Sequence, residues 1–128
     1  MKPVCVVIGA GAGIGGTVAG RFAKEGYHAC LCRRSNEEGL NKLVNGIEDA
    51  GGSASGFLFN AIEDNSIEQM ITSIEADIGP IEVIVYNLGA QTGMKSLEET
   101  SYKEFEIGWR MATFGLFRTA QIIFPLMK

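Results

Sequence analysis

The chain has 128 residues, 46% of them hydrophobic and 20% charged, and 15 acidic against 11 basic side chains leave a net charge of −4. Those figures describe one soluble globular domain. They argue against general nucleic-acid binding, which favours a basic chain, and no apolar stretch is long enough to span a bilayer. The 17 glycines are about twice the usual share, and Gly9, Gly11, Gly13, Gly15 and Gly16 crowd together near the start. That clustering fits neither a coiled coil, a collagen-like repeat nor a disordered tail.

In chain order, Val4 to Ile8 is an unbroken apolar run stopped by Gly9, as expected of a strand buried on both faces. With Lys2 before it, the run superficially looks like the start of a signal peptide, but the glycines that follow have a better explanation. From Ile14 to Ala23 the apolar positions Ile14, Val18 and Phe22 repeat at helical spacing, and the helix ends near Gly26. Ala29 to Cys32 is a second short strand. Ser35-Asn36-Glu37-Glu38 reads as a capping box opening a helix that carries Leu40, Leu43, Val44 and Ile47, and Gly51-Gly52 ends it.

Ser55 to Phe59 is a third strand, and Ser66-Ile67-Glu68-Gln69 a second capping box for a helix closed by Gly79-Pro80. Ile81 to Asn87 is a fourth strand, and residues 91–100 form a loop. A third box, Ser101-Tyr102-Lys103-Glu104, opens a helix running toward Phe124. One row of that helix, Phe105, Trp109, Ala112, Leu116, Ala120 and Ile123, is expected to cover the sheet. Ile107, Met111, Phe114, Arg118 and Ile122 make a second, partly apolar stripe. Strict β-α alternation predicts an α/β fold with a doubly wound parallel sheet.

The three cysteines, Cys5, Cys30 and Cys32, lie inside apolar runs. An odd count is no disulfide framework. Cys30-x-Cys32 has the wrong spacing for a redox or metal pair, with His28 the only histidine, so both read as small buried hydrophobes and no metal site is expected. A reducing cytoplasmic setting fits, with an organelle left open.

A strand that runs straight into glycines and then a helix can hold a phosphate on the helix N-terminus. Glycine lets backbone approach the anion, and the free N–H groups with the helix dipole attract it. Three letterings fit: Gly9-x-Gly11-x-Gly13, Gly11-x-Gly13-x-x-Gly16 and Gly9-x-x-x-Gly13-x-Gly15. The third is favoured because the turn must begin where the strand stops, and Ala10-Gly11-Ala12 supplies a wide small-residue loop. A plain packing turn is the alternative. Some 20 residues further on, where a dinucleotide fold reads the adenosine ribose, stand Arg33 and Arg34. Guanidiniums suit a 2′-phosphate rather than a bare ribose diol. The alternative there is a solvated basic turn.

These residues together resemble the short-chain dehydrogenase/reductase family across the whole chain. Ile8-Gly9-Ala10-Gly11-Ala12-Gly13-Ile14-Gly15 is similar to its T-G-x-x-x-G-I-G loop, with Ile8 in place of Thr. This implies that Gly9, Ala12, Gly13, Ile14 and Gly15 bind the cofactor. Cys32-Arg33-Arg34 resembles the basic strand end of NADP-preferring members. Asn60-Ala61 stands where the family has Asp and an apolar residue against the adenine, and Asn60 would accept through its amide oxygen. Tyr86-Asn87-Leu88-Gly89 is similar to N-N-A-G, where the Asn steadies the central sheet and the Gly admits the nicotinamide ribose.

The resemblance implies a Rossmann-like sheet of strand order 3-2-1-4, incomplete on its C-terminal side, over residues 1–128. It further implies NADP(H) as cofactor and a small carbonyl or alcohol substrate, and for the second stripe of helix 102–124 either a homo-oligomer contact or core packing against further parts of the domain. Two departures matter. Ala112 occupies the position of the family's active-site Asn, which helps hold a kink and a water. The family's Ser and Tyr-x-x-x-Lys would lie beyond Lys128, and no Tyr-x-x-x-Lys occurs in the 128 residues. The expected function is therefore the cofactor-binding half of an NADP(H)-dependent oxidoreductase, with no turnover by this polypeptide alone. A non-catalytic NADP-binding or interaction module is the alternative, and a methyltransferase-like domain a distant third.

Overall fold

A computed structural model describes residues 2–88 and 95–127. β1 (Val4–Ile8), α1 (Ile14–Lys24), β2 (His28–Arg33), α2 (Glu37–Asp49), β3 (Ser53–Leu58), α3 (Ser66–Asp77) and β4 (Ile81–Tyr86) alternate strictly. The four strands form one parallel sheet in the order β3-β2-β1-β4. The strand order reverses between β1 and β4, and β1, with a strand on each side and helices over both faces, has every side chain buried.

Side-chain alternation on the strands divides the core. Val4, Val6, Ile8, Cys30 and Cys32 pack with Ile67, Met70, Ile71 and Ile74 of α3 on one face. Cys5, Val7, Ala29 and Leu31 pack with Ala19, Ala23 and Leu40 of α1 and α2 on the other. Each fully buried aliphatic side chain contributes roughly 1.5–3 kcal/mol, so the apolar runs that mark the strands also hold the layers together. Burial pushes the Cys5 thiol up to about 11 and the Cys30 thiol to about 12, and raises Cys32 as well. They are inert hydrophobes, as their apolar surroundings predict.

Two of the three capping boxes do not form. Asn36, not Ser35, caps α2, its side chain accepting from the Gly39 N–H at 3.0 Å. Asn65 precedes α3 in the left-handed region, and Ser66 is already helical. The Ser66 hydroxyl instead donates to the carbonyls of Asn60 and Glu63. In both places the asparagine adopts the positive φ that this side chain tolerates, which shifts the helix start by one residue. The Ser101 box does form, with Glu104 reaching back to it.

The last helix departs most from expectation. It is α4 (Tyr102–Trp109), a π-helical turn over Arg110–Phe114, and α5 (Gly115–Ile123). The row expected to face the sheet does not: Phe105, Trp109, Leu116 and Ala120 are exposed, Ala112 is half-buried and only Ile123 is buried. The inward row is Gly108, Gly115, Arg118, Thr119 and Ile123. The reason is local. Tyr86, at the end of β4, donates its hydroxyl to the Met111 carbonyl, and a Cβ on Gly115 would occupy the space of that hydroxyl. The small residue therefore turns inward and the large ones outward. No helix of the described residues is long and apolar enough to cross a membrane.

Candidate functional site

All four strands point their C-terminal ends the same way, and those predicted site residues that are described stand at those ends. In open parallel sheets ligands bind at that edge, in the crevice where strand order reverses. Here that crevice lies between the C-terminal ends of β1 and β4.

Gly9 begins the turn after β1 at a φ of 96°. A side chain there would be strained, and a Cβ would stand 2.7 Å from the Asn87 carbonyl oxygen. Gly15 packs against Gly9 and Ala10, and Gly16 donates its N–H to the Gly11 carbonyl at 2.9 Å. Neither has room for a Cβ. Gly11 and Gly13 differ, because nothing lies within 4 Å of a Cβ built on either. Three glycines therefore close the turn and two leave its rim open. Gly16 is a tightly packed position that the favoured lettering omits, although Gly11-x-Gly13-x-x-Gly16 contains it.

Gly13 caps α1 without a side-chain hydrogen bond, no acidic residue sits in the first turn, and Arg21 and Lys24 occupy the last. The positive end of the helix dipole thus faces the glycine rim without an internal carboxylate to satisfy it. Ala12, Gly13 and Ile14 are exposed there, Ile14 at 73%.

Across the crevice, the Asn87 N–H donates to the Ile8 carbonyl at 2.8 Å, and its side-chain amide donates to the Gly9 carbonyl at 3.3 Å. The asparagine after β4 therefore ties that strand end to the glycine turn. Leu88 is half-buried against the core. Gly89 lies outside the described residues.

At the end of β2, Arg33 is half-buried and Arg34 exposed. Among the described residues neither forms an ion pair with a carboxylate. Gly39, in the first turn of α2, leaves room first for the Asn36 cap, whose Nδ2 would stand 2.6 Å from a Cβ there, and beside it for the Arg33 guanidinium, with Nη1 at 3.2 Å. After β3, the Asn60 amide oxygen accepts the Ile62 N–H at 3.2 Å. One lone pair of the expected acceptor is thus engaged within its own loop. Ala61 is buried and its carbonyl faces away from solvent toward α5.

Ala112 sits in the middle of the π-helical turn and has no polar group to hold it. Tyr86 supplies a hydrogen bond one residue away, to Met111, and burial raises its hydroxyl pKa. Sequence reasoning missed Tyr86 in this part, because the contact joins residues far apart in the chain. It also missed Arg118, which is buried and pairs with Glu68 through two hydrogen bonds of 2.6 and 3.0 Å. The guanidinium holds the Glu68 carboxyl below its ordinary pKa. One signal was present: Arg118 is a cation inside an otherwise apolar stripe.

Comparison with known proteins adds the following. A family model described as short chain dehydrogenase matches residues 3–128. A fatty acyl-CoA reductase of Acinetobacter baylyi is 30% identical over 126 residues, covering 97% of this chain and 42% of the relative. A crystal structure of a short-chain dehydrogenase from Rhodopseudomonas palustris is 31% identical with a TM-score of 0.90, covering 98% of this chain and 58% of the other. A metagenomic short-chain oxidoreductase solved in complex with NADP has a TM-score of 0.91 at 24% identity, covering 97% and 56%. The chain thus spans less than half the length of that reductase and somewhat over half of these solved chains.

Proposed function

The chain belongs to the short-chain dehydrogenase family, and from that premise we propose that it is the cofactor-binding part of an NADP(H)-dependent oxidoreductase acting on a carbonyl or alcohol. The observation that carries the cofactor choice is the Arg33–Arg34 pair at the end of β2, without a carboxylate partner among the described residues. The open glycine rim before a helix start without a side-chain cap supports a dinucleotide's phosphates at the same edge.

Each residue then has a task. The rim at Ala12, Gly13 and Ile14 takes the phosphates by backbone N–H groups and the helix dipole. Gly9 and Gly15 let the turn lie close to β4, and Asn87 fixes that approach. Arg33 and Arg34 take the 2′-phosphate, while Asn60 and Ala61 border the adenine. When bound, the nicotinamide supplies hydride donation or acceptance. Ala112 favours a second reading, a non-catalytic NADP-binding module, because it brings no polar group to the proton path. Both readings expect no turnover by these 128 residues alone, and cofactor-dependent reduction of a carbonyl by them would contradict both.

A charge-assisted hydrogen bond contributes about 1.5–3 kcal/mol, so one Arg–phosphate contact favours NADPH over NADH by roughly tenfold to a hundredfold. Titration of each cofactor by fluorescence measures this, and the double variant Arg33→Glu/Arg34→Glu is expected to abolish the preference. Equal affinities in the unaltered protein would overturn the 2′-phosphate assignment.

A further inference from the structure

Residues 59–65 join β3 to α3 and carry Asn60 and Ala61. Two arginines of the last helical segment hold this loop from the same side. Arg118, only 7% exposed, donates Nη1 to the Ala61 carbonyl at 2.8 Å and Nη2 to the Glu63 carbonyl at 3.2 Å. Its Nε and Nη2 also donate to the two Glu68 carboxylate oxygens. Arg110 donates to the Ile62 carbonyl at 3.4 Å and to Asp64 at 3.3 Å. Both guanidiniums lie near the Phe114 ring, Arg110 at 5.5 Å and Arg118 at 5.8 Å from its centroid, and Trp109 stacks on that ring at 5.1 Å.

A buried guanidinium is costly unless its donors are met, and this one reaches four acceptors on three residues. If it served only to join α5 to α3, the Glu68 pair would suffice. The two loop carbonyls are additional, and one of them belongs to Ala61, directly after Asn60. The Asn60 oxygens are met locally, by the Ile62 and Glu63 N–H groups and by the Ser66 hydroxyl at the start of α3, so Arg118 is what ties the Ala61 carbonyl to α5.

We propose that Arg118 is a positioning residue for the adenine end of the cofactor site, setting the backbone of Asn60–Ala61 from α5 by its hydrogen bonds to the Ala61 and Glu63 carbonyls. This rests on the cofactor reading above. Arg118 acts through the loop, and Glu68 fixes the guanidinium's orientation.

The test titrates 2′,5′-ADP and 5′-ADP by calorimetry into the unaltered protein, Arg118→Met, Arg118→Lys and Glu68→Gln, with the folded fraction of each measured by circular dichroism. Arg118→Met is expected to weaken 2′,5′-ADP binding per folded molecule by about tenfold, the loss of one charge-assisted hydrogen bond's worth of positioning. The preference for 2′,5′-ADP over 5′-ADP, which reports Arg33 and Arg34, is expected to stay unchanged. Arg118→Lys, which keeps a donor, recovers part of the loss. Glu68→Gln keeps the hydrogen-bonding shape and gives a milder loss even if Arg118→Met fails to fold. Folded Arg118→Lys and Glu68→Gln proteins that bind 2′,5′-ADP as the unaltered protein does would overturn the positioning role alone. An unaltered protein that binds neither nucleotide would overturn the cofactor reading and this proposal with it.

Discussion

Gly9 and Gly20 are the same residue type under opposite constraints. Gly9 has a φ of 96° and faces the Asn87 carbonyl, whereas Gly20 lies inside α1 with nothing within 4 Å of an added Cβ. Gly9→Ala carries backbone strain of about 1–3 kcal/mol before the contact with Asn87 is counted. Gly20→Ala gains about 1 kcal/mol from helix propensity. Urea unfolding is expected to move in opposite directions for the two variants, and a Gly9→Ala protein as stable as the parent would contradict the close approach of the turn to β4. The importance of the glycine cluster was legible in the sequence, because a strand-glycine-helix order has few other uses. The division of labour within it was not, since it depends on Asn87, which comes from a distant strand.

At the scale of elements, strand and helix identity followed from periodicity, with ends correct to a few residues. Two helix starts slipped by one position because Ser35 and Asn36, and likewise Asn65 and Ser66, are both acceptable near a helix N-terminus. Only the local backbone chooses between them. The π-helical turn left no periodic trace: an apolar stripe looks the same until an extra residue enters it. What the turn depends on is one hydroxyl and one missing Cβ. Tyr86→Phe is expected to cost about 1 kcal/mol through the lost hydrogen bond to Met111. Gly115→Ala should cost more, because its methyl displaces the hydroxyl bodily. Urea midpoints measure both, and a Gly115→Ala protein no less stable than Tyr86→Phe would contradict this account of the turn.

Over the whole molecule, the parallel sheet and its strand order were legible from β-α alternation and from the family resemblance. The burial of Arg118 and the outward row of Phe105, Trp109 and Leu116 were not, because both depend on how the last helix rolls against Tyr86. The central claim is that one dinucleotide spans the ends of all four strands, from the glycine rim to Arg33–Arg34, to the loop at Asn60–Ala61 and to Asn87–Leu88. Amide hydrogen exchange with and without saturating NADPH tests it most directly. Slowed exchange is expected together at residues 9–16, 33–36, 60–62 and 87–88, while the C-terminal ends of α1 and α2, at the opposite edge of the sheet, stay unchanged. Protection confined to that opposite edge, or none at all, would contradict the account.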